Sequence, residues 1–258
     1  MSPVVALWLA ALPAIAGLAF AAWAVATARR NAGLVDVFWS LFLLLAAGVF
    51  AFRAEPGLRG WLTLALVAAW ALRLSAYLAA RNWNAVEDRR YRAIRARHEP
   101  GFAWKSLYLV FGLQALLAWL ISAPLAAAIA GPGPLTALDW IGAALAAFGV
   151  VYESVADQQL SRFKADPAQA GRVMDRGLWR YSRHPNYFGE FCVWWGLYLV
   201  AAGAGGWWTL FSPLVMSVLL LRVSGVTLLE QDIAERRPAY RDYVRRTRVF
   251  FPGPLRES

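Results

Sequence analysis

The sequence predicts an all-α fold: a polytopic membrane protein of seven transmembrane helices, N-terminus outside and C-terminus cytoplasmic. Three observations carry this. The chain has 258 residues, 60% of them hydrophobic, and a mean hydropathy of +0.45; a soluble domain so apolar would expose large sticky patches. Apolar runs near the ~20 residues that span a ~30 Å hydrocarbon core recur along it. The formal net charge is +10, yet the basic residues collect between alternate runs. A nucleic-acid binder this basic would be far more polar, and a disordered basic chain would not carry 14 Trp.

The first run covers about residues 4–28. No basic segment precedes it, so it reads as a span and not as a cleavable signal. The others cover about 34–52, 60–80, 104–129, 135–156, 187–202 and 207–229. The last two are short enough to be tilted or partly re-entrant. Pro56-Gly57, Gly131-Pro132-Gly133-Pro134 and Gly203-Ala204-Gly205-Gly206 break the runs with tight turns. Residues 1–258 then form one membrane domain.

Of the 26 basic residues, 22 fall after odd-numbered spans or in the tail, against Arg53 and Arg59 on the other side; Arg73 and Arg222 lie within spans. The positive-inside rule makes the odd-span loops cytoplasmic. Most of this charge sets topology and meets anionic headgroups. The cytoplasmic segments are also the long ones, where function concentrates. There is no inverted internal repeat, which argues against a transporter. One cysteine, Cys192, forms no disulfide framework, and with His98 and His184 alone a metal site is poorly supplied; none is expected.

Ionisable groups inside spans cost ~2.5–3.5 kcal/mol each on insertion scales. They are Asp36, Arg73, Glu153, Glu190, Arg222 and Glu230. Internal ion pairs and a polar cavity open to the cytoplasm both fit them. The densest chemistry is residues 153–190. Arg162, Lys164, Arg172, Arg176, Arg180 and Arg183 can surround phosphates, since Arg presents a planar charged fork and Lys a point charge. Asp157, Asn186 and Glu190 suit a nicotinamide amide, a ribose or an adenine, and Asn186 and Glu190 share a helix face. This mixture points to a phosphate-rich dinucleotide. No G-x-G-x-x-G follows a strand pattern, so a Rossmann domain is unsupported.

Asp36-Val-Phe-Trp39, Trp70-x-x-Arg73-Leu-Ser, Glu87-Asp-Arg-Arg-Tyr91, the block from Gly177 to Glu190 with its Arg183-His184-Pro185-Asn186-Tyr187 centre, and the tail from Pro238 to Pro252 resemble the DUF1295 branch of the steroid 5α-reductase family. The resemblance runs from about residue 30 to 254. It implies a seven-helix membrane fold and NADPH-dependent reduction of a ring double bond conjugated to a ketone. It places Asp157, Lys164, Arg172, Asn186 and Glu190 on the cofactor, with Arg183, His184 and Tyr187 beside them. Arg81, Asn82, Glu87 and Asp88 fall in a second cofactor-facing loop, and Tyr240 and Tyr243 at the adenine end, though an interfacial anchor explains each tyrosine as well. Loops 81–103 and 157–186 with tail 230–258 would form the cofactor site.

At the substrate end the family's eukaryotic members polarise the ketone with a Glu in span two and a Tyr in span three. Here the nearest acid is Asp36, and Trp70 occupies the expected Tyr position; Tyr77 and Tyr91 are the candidate substitutes. Arg183-His184-Pro185 also resembles the isoprenylcysteine methyltransferases, membrane enzymes that use S-adenosylmethionine, a cofactor without phosphates. A non-enzymatic small-molecule transporter is the third reading. The expectation is a monomeric reductase of the bacterial inner membrane or endoplasmic reticulum membrane, acting on a 3-oxo-Δ4-steroid-like enone that enters from lipid, with NADPH bound from the cytoplasm and no nucleic-acid partner.

Overall fold

The computed structural model describes residues 2–223 and 239–255. Glu230, Arg236, Arg237, Arg256 and the end of the seventh expected span lie outside the described residues. Among the described residues every regular element is a helix. Five helical segments are long and apolar enough to cross a membrane: Pro3–Ala28, Ala32–Ala54, Leu58–Asn82, Phe102–Ile129 and Ala137–Ala165. Trp207–Arg222 is a shorter apolar helix, and Pro185–Gly203 has 19 residues. The described chain divides into two compact units: residues up to Trp140 with Tyr198–Ser212, and Ile141–Leu197 with the described residues from Pro213 on.

The first unit opens with α1 (Pro3–Leu9) and α2 (Leu12–Ala28). Ser2 caps α1 by accepting from the Val5 N–H at 3.3 Å, and Pro3 sits where its missing donor costs nothing. α3 (Val35–Ala54) and α4 (Leu58–Asn82) follow, then the short polar α5 (Arg89–His98). The fourth long segment is composite: α6 (Phe102–Ser106), a π-helical turn at Leu107–Gly112, α7 (Leu113–Ile121) and α8 (Ala123–Ile129), the last two parted at Ser122 with Pro124 in the first turn of α8.

α3 packs most extensively on α4 and also meets α2, α7 and α8. Its Phe42, Leu43, Ala46, Ala47 and Phe50 are buried at helical spacing, as are Thr63, Val67, Trp70, Ala71 and Leu74 of α4. Lipid is as apolar as leucine, so close packing and polar ties must select these pairings. The ties are visible. Ser40 donates to the Ala71 carbonyl at 3.0 Å. Trp8 and Trp119 exchange indole-to-carbonyl bonds at 2.8 and 3.0 Å with their rings stacked 4.3 Å apart. Trp23 donates to the Ala103 carbonyl at 2.7 Å.

In the second unit, α9 (Ala137–Ala165) continues past the expected end of its span at residue 156. Hydropathy stops at the last apolar residue, but 157–165 lack Gly and Pro and keep helical propensity. Asp157, Gln159, Arg162 and Lys164 therefore stand on a helix. α10 (Pro185–Gly203) crosses α9 along a glycine seam. A Cβ on Gly149 would lie 2.5 Å from the Gly189 carbonyl oxygen, and one on Gly196 2.5 Å from that of Gly142, so the backbones touch as small-residue interfaces allow. α11 (Phe211–Val218) meets α10 through a Trp195–Ser217 hydrogen bond of 3.2 Å. α12 (Ala239–Arg246) is the described helix of the tail.

Candidate functional site

In the first unit the chain gathers polar groups where α2 hands over to α3 and α4 to α5. Asp36 lies in the first turn of α3, where the helix dipole favours a carboxylate. Tyr91, on α5 and 7% exposed, donates from its hydroxyl to Asp36 Oδ1 at 2.6 Å. Arg90 Nη2 donates to Asp36 Oδ2 at 3.2 Å, and Gln114 Nε2 donates to the Tyr91 hydroxyl at 3.2 Å. Burial, then the Asp36 charge, holds the Tyr91 phenol well above its ordinary range. Arg90 is raised too, because Asp36, Tyr91 and Asp88 outweigh its own burial. The sequence singled out Asp36 and Tyr91 separately; the fold brings them into one hydrogen bond. Tyr77 is held differently, with the Arg81 guanidinium 5.6 Å from its ring centroid, and Trp70 is buried in α4.

The expected second cofactor loop has structural duties. Arg81 donates to Asn82 Oδ1 at 2.9 Å. Glu87 accepts from the Ala32 N–H at 2.7 Å and from two Arg95 nitrogens at 2.9 and 2.8 Å. Partial burial opposes its ionisation, but these bonds win and its carboxyl lies below the usual range. Asp88 caps α5 through the Arg90 N–H at 2.9 Å, and its carboxyl is likewise lowered, again against its own burial.

In the second unit, Glu153 and Asp157 are buried on α9, one turn apart. Asn186, in the first turn of α10, donates to Asp157 Oδ1 at 3.3 Å. A Cβ on Gly189 would fall 2.7 Å from Glu153 Cβ, so the start of α10, including buried Glu190, lies close on this stretch of α9. Lys164, Arg172, Arg176 and Arg180 are exposed. The loop carrying the last three is pinned to α9 by the Leu178 N–H on Gln159 Oε1 at 2.9 Å and by the Trp179 indole on the Ala156 carbonyl at 3.0 Å. Gly177 must be glycine there: its φ is +57° and a Cβ would strike Gln159.

The tail docks on the same loop. Tyr243 donates to the Trp179 and Ser182 carbonyls. Ser182 donates to the Phe250 carbonyl at 2.7 Å. Arg183 Nη1 reaches the Val244 and Thr247 carbonyls at 3.1 and 3.0 Å, at the C-terminal end of α12 where a cation is favoured. The His184 ring stacks on Tyr187, centroids 5.8 Å apart, and Tyr240 packs against Tyr243 at 5.4 Å. Arg183 and Tyr243 therefore spend bonds on holding the tail. Sequence reasoning missed Gln114 and Gln159, whose partners Tyr91 and Leu178 lie 23 and 19 residues away and which no local pattern marks.

A chain whose regular elements, among the described residues, are all helices, five of its segments fit to cross a bilayer, is an integral membrane protein. It belongs to the DUF1295 family, described as a protein of unknown function, whose model matches residues 22–247. It is similar to an uncharacterized protein of Schizosaccharomyces pombe, 28% identical over 265 aligned residues that cover 89% of this chain and 75% of that protein. No solved structure matches the chain.

Proposed function

We propose that this protein is a seven-span membrane oxidoreductase, N-terminus outside and C-terminus cytoplasmic, that reduces the C=C bond of a hydrophobic enone of the 3-oxo-Δ4-steroid type. The observation that carries the reading is the 2.6 Å hydrogen bond between Tyr91 and Asp36, with Arg90 on the other carboxylate oxygen. The proton between these oxygens is the one offered to a ketone oxygen, where negative charge develops as the conjugated bond is reduced. A phenol held above its ordinary range stays protonated at neutral pH and so remains a donor.

The donor set of the second unit fits a phosphate-bearing dinucleotide. Lys164 and Arg172 are exposed cations suited to phosphate oxygens, while Asp157 and Asn186 offer amide- and hydroxyl-binding groups. NADPH, when bound, supplies the hydride for the β-carbon of the enone. The protein's part is to bind, orient and polarise.

The test is purified protein in phosphatidylcholine nanodiscs, given NADPH and a panel of 3-oxo-Δ4 steroids and polyprenyl enones. The reading expects NADPH oxidation matched by saturated ketone. No turnover on any enone, together with binding of S-adenosylmethionine instead, overturns it.

A further inference from the structure

A cavity of about 460 Å³ in the first unit is lined by Arg29, Arg30, Asn31, Trp83, Asn84 and Glu87, among others. The end of α2 explains why two arginines face it. The Arg30 N–H bonds the Thr27 carbonyl at 3.1 Å and the Asn31 N–H bonds the Ala26 carbonyl at 2.9 Å. This is the helix-ending arrangement in which the intervening residue turns left-handed and is usually glycine. Here it is Arg30, at φ +52°. A side chain there costs free energy that glycine would not. Terminating the helix does not require a side chain there; the negative end of the helix dipole favours a cation, and this one also lines the cavity.

The surroundings say what that role is. Arg29 lies 4.3 Å over the Trp83 ring and donates to the Trp83 carbonyl at 3.2 Å, which fixes its guanidinium at the cavity. Asn31 is fastened by its side chain to the Ala85 carbonyl and the Gly33 N–H, at 3.2 and 3.0 Å. The one carboxylate at the cavity, Glu87, is already engaged by Arg95 and the Ala32 N–H. What remains is a positive site, with Arg29 held in place and Arg30 beside it on the cavity wall, at the end of a segment long and apolar enough to cross a membrane. We infer that this cavity binds a phosphate ester, gripped by Arg30 and Arg29 beside the Trp83 ring. A phospholipid headgroup and a nucleotide both carry that chemistry. The inference stands apart from whether the protein reduces an enone.

The test exploits the strained backbone. Arg30→Gly removes the charge while giving the turn its preferred residue, so lost binding cannot be put down to a damaged fold. Arg29→Gln removes the second cation, and Arg30→Lys keeps the charge. Native mass spectrometry reads retained phosphatidylglycerol, and titration in phosphatidylcholine nanodiscs reads NADPH; the arm that responds identifies the source. The wild type is expected to hold one of the two in preference to phosphatidylcholine. Arg30→Gly should weaken that binding about tenfold or more, as loss of a charge-assisted contact does, and melt no lower than wild type. Arg29→Gln should weaken it too, and Arg30→Lys should retain it. Neither probe preferred by the wild type, or equal binding in Arg30→Gly and wild type, overturns the inference.

Discussion

A phenol oxygen at Tyr91 takes part in two hydrogen bonds of opposite sense, giving its proton to Asp36 and receiving one from Gln114. Under the proposed function, Tyr91→Phe removes the shared proton and should lower kcat by about 10²–10³-fold, the usual cost of one donor at a developing oxyanion, with NADPH affinity unchanged; steady-state kinetics and cofactor titration check this. The pH behaviour follows from the sign of the shift. The folded phenol is raised, chiefly by burial and by Asp36, above the ordinary value near ~10. Its contribution to stability is therefore complete below that ordinary value and is lost as pH climbs through it to the raised one. The Gln114 hydrogen bond works against the raising. Gln114→Leu should thus move the alkaline limb of kcat/KM, and the phenolate absorbance of Tyr91, to higher pH; an unmoved limb would show that Gln114 merely packs. Asp36 and Tyr91 were legible as single residues because an acid in a span and a tyrosine beside a charged motif both stand out. Gln114 was not, because a lone amide in an apolar helix has no local signature.

At the scale of elements, hydropathy locates the long segments well, and Gly–Pro clusters locate the breaks between them. It says less about where a helix continues into polar sequence. α9 carries Asp157 and Lys164 beyond its apolar part, since nothing in 157–165 stops it. Nor does it reveal which glycines are packing surfaces. Gly189 faces the backbone N and Cβ of Glu153, each 2.7 Å from where its Cβ would stand. Gly48, in α3, has nothing within 4 Å of that position. Gly189→Ala must push α10 off α9 and should cost about 1–3 kcal/mol, as overpacking does. Gly48→Ala should instead stabilise by about 0.5–1 kcal/mol, because alanine restricts the unfolded backbone and favours helix. Thermal melts of the two variants in the same detergent check the contrast; equal shifts would mean the seam is loose. The same closeness accounts for Asn186 reaching Asp157, so a melt of Gly189→Ala also reports on that polar cluster.

Across the whole molecule, the proposed orientation rests on the distribution of Lys and Arg, and the structure shows how one of the arginines on the sparse side is held. Arg59 was counted among the cations opposite the basic loops. It is 1% exposed and forms a double hydrogen bond with Asp139, itself 0% exposed, at 2.7 and 3.0 Å. It also donates to the Gly131, Pro132, Pro134 and Gly203 carbonyls at 3.3, 2.9, 2.7 and 3.5 Å. Asp139 also accepts from the Thr136 N–H and hydroxyl, at 2.6 and 2.8 Å, at the start of α9. The sequence could not show this, because the pair is separated by 80 residues and half of it looks like an ordinary helix-start acid. The positive-inside rule counts Lys and Arg whatever their acidic partners, so under the proposed topology Arg53 and Arg59 still stand against 22 basic residues on the other side. A reporter fluorescent only in the cytoplasm, fused after Ser258, should therefore glow, and one inserted at Gly133 should stay dark. Asp139→Asn would leave a buried guanidinium without its counter-charge and should destabilise by about 3–5 kcal/mol. The signal of the Gly133 fusion should nonetheless stay dark in that variant, because the Lys and Arg residues the rule counts are unchanged. A Gly133 reporter that glows in the otherwise unaltered chain would invert the proposed topology, and with it the side from which Lys164 and Arg172 would meet the proposed cofactor.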